Sequence, residues 1–328
     1  MGGDFAPGPI VEGAVSASRH LPDGVRLVGR IETLRLELAR HAGADTLPIS
    51  LVDAEDVIRM DEAPAAALRR RPGASIRVAV SEVAEGRASA LVSAGSTGAT
   101  VMAAYAGLGL LPGVDRPALA ATIPTRQQPA VLLDAGANAE CRPAHLLQFA
   151  VMGAAFAQIA LGLSTPRVGL LSIGEEATKG NDLTREAHRL LKDAPVHFVG
   201  NVEARHVYAG AADVIVCDGF TGNVVLKTSE GLVDLVEARL GDELSSTFSA
   251  SVGFLLVKQA LRRFRRRVDY SEYGGALLLG VRGVVVVGHG RSSAKAIRNA
   301  ILMAERFSTG ALVERLTRGL AAITVTES

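Results

Sequence analysis

Apolar residues along this chain fall into short runs that end in glycine-rich turns, each followed by a longer stretch with apolar positions three and four apart. That alternation predicts βα units around a mostly parallel sheet, an α/β fold. Strands are expected at residues 90–92, 130–133, 168–172, 196–199, 213–216 and 284–287, and helices at 143–163, 182–192 and 292–306. From Thr228 to about Asp269 the rhythm changes to a long helical pattern broken near Gly241 and at Ser245-Ser246-Thr247, which predicts a helical hairpin over residues 228–269. No repeat or Pro/Ser-rich linker marks a boundary. Residues 1–328 are therefore expected to form one α/β unit, with any division into two lobes made by the chain crossing back and forth.

Of the 328 residues, 48% are hydrophobic, 21% are charged and 35 are glycine, the balance of an ordinary globular protein. Aromatics make up only 4% and tryptophan is absent, so the core is aliphatic and stacking platforms for bases are scarce. Lys+Arg 35 against Asp+Glu 34 leaves +1, too even for a protein that works through a global field on polyanions. Nucleic acid is therefore not an expected ligand. Cys141 and Cys217 stand far apart, with no CxxC pair or metal spacing, so no disulfide framework or zinc site is expected and a reducing cytoplasm is the simplest compartment. Residues 1–9 show no basic region followed by an apolar one, so no signal peptide is expected. The apolar stretch 149–163 is shorter than the roughly 20 residues that span a bilayer.

Five strand-end turns carry the candidate chemistry: Ser93-Ala-Gly-Ser-Thr-Gly-Ala99, Asp134-Ala-Gly-Ala-Asn138, Gly174-Glu-Glu-Ala-Thr-Lys-Gly-Asn181, Asp218-Gly-Phe-Thr-Gly-Asn223 and Gly288-His-Gly-Arg-Ser-Ser293. Each sets small or hydroxyl residues at a helix entrance, where unsatisfied N–H groups and the positive end of the helix dipole bind phosphate. Any one of them also reads as ordinary helix capping; five together favour an anion site. GxGxxG, GxxxxGK[ST], GxSxG and HExxH are all absent. An enzyme that binds small phosphate-like anions without a recognisable covalent nucleophile remains.

At these turns the sequence resembles the phosphate acyltransferases of bacterial phospholipid synthesis. The resemblance runs from Met1-Gly-Gly-Asp-Phe-Ala-Pro7 through Ser93–Gly98, Asp134–Asn138, Gly174-Glu-Glu with Lys179-Gly-Asn181, and Gly200-Asn-Val-Glu203. It continues through Cys217-Asp-Gly-Phe-Thr-Gly-Asn-Val-Val-Leu-Lys-Thr228, Tyr270-Ser-Glu-Tyr-Gly-Gly275, and Gly288-His-Gly with Ser293-Ala-Lys-Ala-Ile297. It implies an isocitrate/isopropylmalate-dehydrogenase-like, Rossmann-type three-layer sandwich, a homodimer and no organic cofactor or metal. It also implies reversible transfer of an acyl group from acyl carrier protein to inorganic phosphate, feeding glycerol 3-phosphate acylation. Ser96 stands where the family pattern SAGNTGA has asparagine, keeping a hydrogen-bonding group without the amide's paired donor and acceptor. The family's NVEGRD reads Asn201-Val-Glu-Ala-Arg-His206 here. The family's first strand runs directly into the motif that begins at Met1, so an amino-terminally extended form is expected to be the more stable one.

The implied reaction needs a held phosphate, donors for the oxyanion at the thioester carbonyl, and help for the departing thiolate. Phosphate binding is expected from Ser93, Gly95, Ser96, Thr97, Gly98, Asn138, Asn181, Asp218, Gly219, Thr221, Gly222, Gly288, Gly290 and Ser293, with Asn223 in a catalytic position. Lys179, Lys227 or Lys295 supplies positive charge. His289 either donates a proton to the thiolate or is a turn histidine bonded to backbone. For Asp4, Asp134 and Asp218 the plainer reading is capping, and for the two cysteines an inert buried thiol.

Within residues 254–268, Phe254, Val257, Leu261 and Phe264 repeat at helical spacing among Lys258, Arg262, Arg263, Arg265, Arg266 and Arg267. Such a helix, with Leu255 on it, lies on an anionic bilayer, holds an acidic carrier protein, or simply presents a solvated basic face. The resemblance favours peripheral attachment to the inner face of the cell membrane, beside the membrane glycerol-3-phosphate acyltransferase. Three other readings stay open: a coenzyme-A-linked phosphate acyltransferase, an NAD-dependent decarboxylating dehydrogenase, and a membrane-surface scaffold without turnover.

Overall fold

The computed structural model describes residues 2–245, 254, 258–261, 263–264, 270–308 and 312–324. In chain order the elements are α1 (Gly8–Ser18), β1 (Val25–Gly29), α2 (Ile31–Leu38), β2 (Ile49–Asp53), α3 (Pro64–Arg70), α4 (Ser75–Ala84), β3 (Ala90–Ser93) and α5 (Thr97–Leu108). Next come β4 (Ala118–Ile123), β5 (Ala130–Leu133), α6 (Pro143–Ala160), β6 (Arg167–Ser172), α7 (Asp182–Lys192), β7 (His197–Glu203), β8 (Val214–Val216) and α8 (Gly219–Ser245). The chain closes with β9 (Ala276–Leu279), β10 (Val284–Val287), α9 (Ala294–Ser308) and α10 (Leu312–Thr324).

Eight strands form one sheet in the order β3-β10-β9-β4-β5-β8-β6-β7, and β1 and β2 form a separate parallel pair. The large sheet is mixed rather than mostly parallel. β9 runs antiparallel to both its neighbours, and β4 pairs antiparallel with β5 across the short turn 124–129. The remaining pairings, β3–β10, β5–β8, β6–β8 and β6–β7, are parallel, as βα connections require.

The strand cores are aliphatic and buried on both faces. All four valines of β10 and all of β5 are buried, the pattern of strands covered by helices above and below. α6 fills the middle of one helical layer, with Pro143 in its first turn, where a missing N–H costs nothing. Leu146, Phe149 and Phe156 are fully buried on it, each contributing about 1.5–3 kcal/mol through removal from water. This helix is long and apolar enough to cross a membrane, and its side chains are spent on the protein core instead. It ends at Ala160 rather than Leu163, because Gly162 turns into the left-handed region at φ +70°.

Arg167 and Asp213 pin β6 to the start of β8. Arg167 donates from its backbone at 2.8 Å and from its guanidinium at 2.9 and 3.1 Å to the Asp213 carboxylate, and Gln128 adds a fourth donor at 3.1 Å. Burial pushes the Asp213 carboxyl up, but these hydrogen bonds outweigh it and hold its pKa below the ordinary carboxylate range.

Two further expectations change. β7 continues past Val199 to Glu203, so the Gly200–Glu203 motif is strand rather than turn. α8 begins at Gly219, nine residues before the expected hairpin, and runs unbroken through Gly241. Of the return arm, Phe254, residues 258–261, Arg263 and Phe264 are helical, while Leu255, Arg262 and Arg266 lie outside the described residues.

Candidate active site

The first cluster forms where β3 hands over to α5. Ser96 is the N-cap of α5: its Oγ accepts the Ala99 N–H at 3.4 Å and its carbonyl accepts the Thr100 N–H at 2.9 Å. Thr97 and Gly98 follow in the first turn, where backbone N–H groups have no acceptor within the helix. Ser93 braces the turn, bonding Thr100 Oγ1 at 2.9 Å and accepting the Gly95 N–H at 3.3 Å.

The carboxyl end of β10 joins this turn, because Gly288 donates to the Ser93 carbonyl at 2.8 Å. Two residues on, Gly290 accepts the Asp4 N–H at 2.8 Å. Gly2 packs so closely on Gly95 that an added Cβ would lie 2.8 Å from the Gly95 Cα, which is why this approach needs glycine. Between them sits His289, whose Nδ1 accepts the Arg291 N–H at 3.2 Å. Its Nε2 contacts Lys227 Nζ, and Lys227 in turn bonds Glu230 Oε2 at 3.1 Å, with His289 Nε2 3.7 Å from the same oxygen. Burial and then the Lys227 charge draw the His289 pKa below the usual imidazole value, with Glu230 pulling the other way.

The second cluster is organised by Asp134, which is fully buried. Its Oδ1 accepts the N–H groups of Leu119, Gly136 and Ala137 at 2.9–3.0 Å, and its Oδ2 accepts the backbone and side-chain N–H groups of Asn138 at 2.8 Å each. Asn138 also donates to the Pro117 carbonyl, and its own carbonyl accepts the Gly219 N–H at 2.7 Å. Asp218 caps the first turn of α8, accepting the Thr221 N–H at 2.8 Å and its hydroxyl at 2.7 Å. Gly222 faces the Asp134 carbonyl, where a Cβ would come within 1.9 Å, and Gly136 packs against Asn223. Asn138 and Thr221 are thus committed to holding the turn, while Asn223 is exposed, with its amide beside Gly136.

α8 connects the clusters, carrying Asn223 beside Gly136 and Lys227 beside His289. The other expected residues belong to their own turns. Asn181 is the N-cap of α7, accepting from Thr184 at 2.9 Å, and Lys179 is exposed against Gly174 within the same loop. Ser293 caps α9 through the Ala296 N–H, and Lys295 pairs with Glu272 at 2.6 Å. Cys141 has its thiol pushed up to about 12 by burial, and the fully buried Cys217 is raised as well, so neither is a thiolate at neutral pH. Sequence reading missed Glu230; its position three residues after Lys227 on one helical face was the available signal. His206, where the family pattern differs, pairs with Glu175 at 2.8 Å.

A family model described as "Fatty acid synthesis protein" matches residues 1–315. A phosphate acyltransferase from Heliobacterium modesticaldum is 51% identical over 306 residues, 93% of this chain and 91% of that protein. One from Acidobacterium capsulatum is 50% identical over 321 residues, 98% of this chain and 95% of its own. The chain belongs to the phosphate acyltransferase family. The acyltransferase is an enzyme of lipid and phospholipid synthesis, as the resemblance implied. In fold it is similar to a phosphotransacetylase from Streptococcus pyogenes, with a TM-score of 0.61 at 20% identity over 92% of both chains. It is also similar to 4-hydroxythreonine-4-phosphate dehydrogenase from Klebsiella pneumoniae, with a TM-score of 0.51 at 14% identity over 92% and 95%. The expected three-layer, dehydrogenase-like α/β architecture is borne out at the level of fold.

Proposed function

We propose that this acyltransferase moves an acyl chain from the thioester of acyl carrier protein to inorganic phosphate, reversibly, giving acyl phosphate for glycerol 3-phosphate acylation. The observation that carries the reading is the meeting of the α5 amino end, the Gly288–Gly290 turn and the Lys227–His289 pair at the ends of β3 and β10. It combines N–H donors for an anion with a cation held by Glu230.

A phosphate oxygen attacks the thioester carbonyl carbon; the new C–O bond forms as the C–S bond breaks, and the electron pair leaves on sulfur. Thr97 and Gly98 N–H groups hold phosphate, Asn223 and Lys227 stabilise the developing oxyanion, and the thiolate takes a proton. His289, drawn toward its neutral form, is the donor on the acid side of neutrality, with Lys227 Nζ in contact with its Nε2.

The carrier docks on basic side chains of the 254–268 stretch, of which Lys258 and Arg263 are exposed. Leu232, Leu235, Val236 and Leu240 form an exposed apolar stripe on α8, which supports burial against a second copy of the chain. The basic return arm supports peripheral contact with an anionic membrane and the acyltransferase there.

Purified protein is incubated with palmitoyl-acyl carrier protein and phosphate, and acyl phosphate is trapped as its hydroxamate. Phosphate-dependent product is expected, faster than with palmitoyl-coenzyme A as donor. A preference for coenzyme A would reassign the donor, and no product from folded protein would leave a membrane-surface scaffold.

A further inference from the structure

α8 is held from two sides, and the hold opposite His289 is Tyr208. This residue lies in the short 3-10 helix Ala204–Ala209 between β7 and β8. Its carbonyl accepts the Arg126 N–H at 2.9 Å, and Val207 before it is fully buried, so its backbone is fixed. The half-buried ring packs, with Val225 and Leu226 of α8, on the cluster that contains Ile123, Leu132 and Cys217. Its hydroxyl meets Ser229 Oγ, and Ser229 Oγ in turn donates to the Val225 carbonyl at 2.7 Å. A serine hydroxyl has one proton to give. With that proton on Val225, Tyr208 is the donor and Ser229 the acceptor, so the bond lasts while the phenol is protonated. Burial, with the Glu230 charge acting the same way, raises the Tyr208 pKa above the ordinary phenol value.

At about 100° per residue, Ser229 stands about 200° round the helix from Lys227, on the opposite face. The turn 227–230 is therefore gripped between Tyr208 on one side and His289 on the other. Glu230 takes part in both: its Oε2 bonds Lys227 at 3.1 Å and lies 3.7 Å from His289 Nε2, and its charge acts on Tyr208. Beyond this turn most described side chains of α8 are exposed, among them Leu232, Leu235, Val236 and Leu240. A helix that continues into solvent pulls on the turn it grows from. Ser229 adds to the need for an anchor, because a hydroxyl bonded to the carbonyl four residues back competes with the helix ladder and loosens it.

We propose that Tyr208 is a positioning residue of the acyl transfer: by donating to Ser229 it fixes the turn of α8 that carries Lys227 and Glu230, and so keeps both against His289. The inference rests on the reading of Lys227 and His289 given under the proposed function. Tyr208 touches no reacting atom in that scheme. Its ring serves the core and its hydroxyl alone makes the bond, so removal of one oxygen separates positioning from packing.

Tyr208→Phe removes that oxygen. Transfer from palmitoyl-acyl carrier protein to phosphate is expected to fall about tenfold in kcat, with both KM values within about twofold and the thermal midpoint within about 2 °C of wild type. Ser229→Ala should match it, and the double variant should be no slower than either single one, because the two side chains act through one bond. If Tyr208→Phe does not fold, Ser229→Ala deletes the acceptor and carries the same expectations. A second readout needs no turnover: the His289 ring resonances are followed against pH by NMR in the free protein. Lys227 and Glu230 of α8, Arg291 of its own turn and Asp4 of the amino-terminal turn act on this ring, and the depressing Lys227 charge outweighs Glu230. Loosening the turn should therefore move the His289 midpoint up, toward the ordinary imidazole value, by about 0.3 pH unit or more. A kcat within about twofold of wild type, additive losses in the double variant, or an unmoved His289 midpoint would overturn the proposal. Should wild-type protein form no acyl phosphate, the acyl-transfer reading fails on its own, and the His289 midpoint still decides whether Tyr208 holds the turn.

Discussion

Asp134→Asn asks how much of the second cluster hangs on a single buried carboxylate. Five N–H groups converge on it, three at Oδ1 and two from Asn138 at Oδ2, all within 2.8–3.0 Å. An amide keeps an acceptor on only one side. With its oxygen at the Oδ1 position, its NH₂ group faces the two Asn138 donors, and both lose their acceptor. At about 1–3 kcal/mol for each stranded donor, the gross loss is about 2–6 kcal/mol. Relief of the buried charge offsets part of this, leaving about 2–4 kcal/mol. At an m-value of about 3 kcal/mol/M, the urea midpoint falls by about 1 M. Function suffers separately. Asn138 accepts the Gly219 N–H at the entrance of α8, so a displaced Asn138 moves Asn223 and Lys227 with it. Phosphate-dependent hydroxamate formation is expected to drop about 100-fold while the protein is still folded. A variant with the wild-type urea midpoint and a rate within about twofold of wild type would refute the account.

His289→Ala is expected to lose about 100-fold in transfer rate below the lowered imidazole pKa and little above neutrality, flattening the acid limb of the pH profile; an unchanged profile removes the donor role. Arg167→Ala leaves the buried Asp213 carboxylate without its main partner and is expected to cost about 3 kcal/mol in denaturant unfolding. Because Asp213 has a depressed folded pKa, its stabilisation is present above the unfolded carboxylate value and lost as pH falls through the folded one. The Arg167→Ala protein should therefore lose less stability than wild type on acidification, and a parallel loss in both would contradict the pairing. Arg263→Glu combined with Arg266→Glu should weaken binding to anionic vesicles or raise KM for the acyl carrier; if neither changes, the basic arm has neither use.

The parts of the fold legible in the sequence are those where β-branched and leucine-rich runs meet a clear turn. β10, β5 and α7 match their expected bounds, and β6 comes within a residue of its own. β4 and β9 escaped because Ala-Leu-Ala-Ala and Ala-Leu-Leu-Leu runs carry weak strand preference and owe their conformation to burial between neighbours. Those same two strands make the sheet mixed. The candidate turns were legible as motifs, since each supplies a cap at a helix start. Their grouping was not. Nothing in the spacing of Ser93, Lys227 and His289 says that strands β3 and β10 lie side by side and that α8 reaches them. Conversely, Asn181, Lys179 and Lys295 match the motif pattern equally well, yet Asn181 and Lys179 make their described contacts within their own loop and Lys295 pairs with Glu272.

α8 translates chain count into distance. From Asn223 to Lys227 is four residues, about 6 Å of rise and about 400° of rotation, which delivers Lys227 to His289 while Asn223 stays with Gly136. One residue more or fewer in that interval would swing Lys227 and Glu230 together through about 100°, carrying Lys227 off His289. Side-chain identity inside the interval is a looser matter only at Val224, which is 48% exposed, since Val225 and Leu226 pack against the buried core. The stretch therefore works as a gauge between the two halves of the site, intolerant of any change in its length.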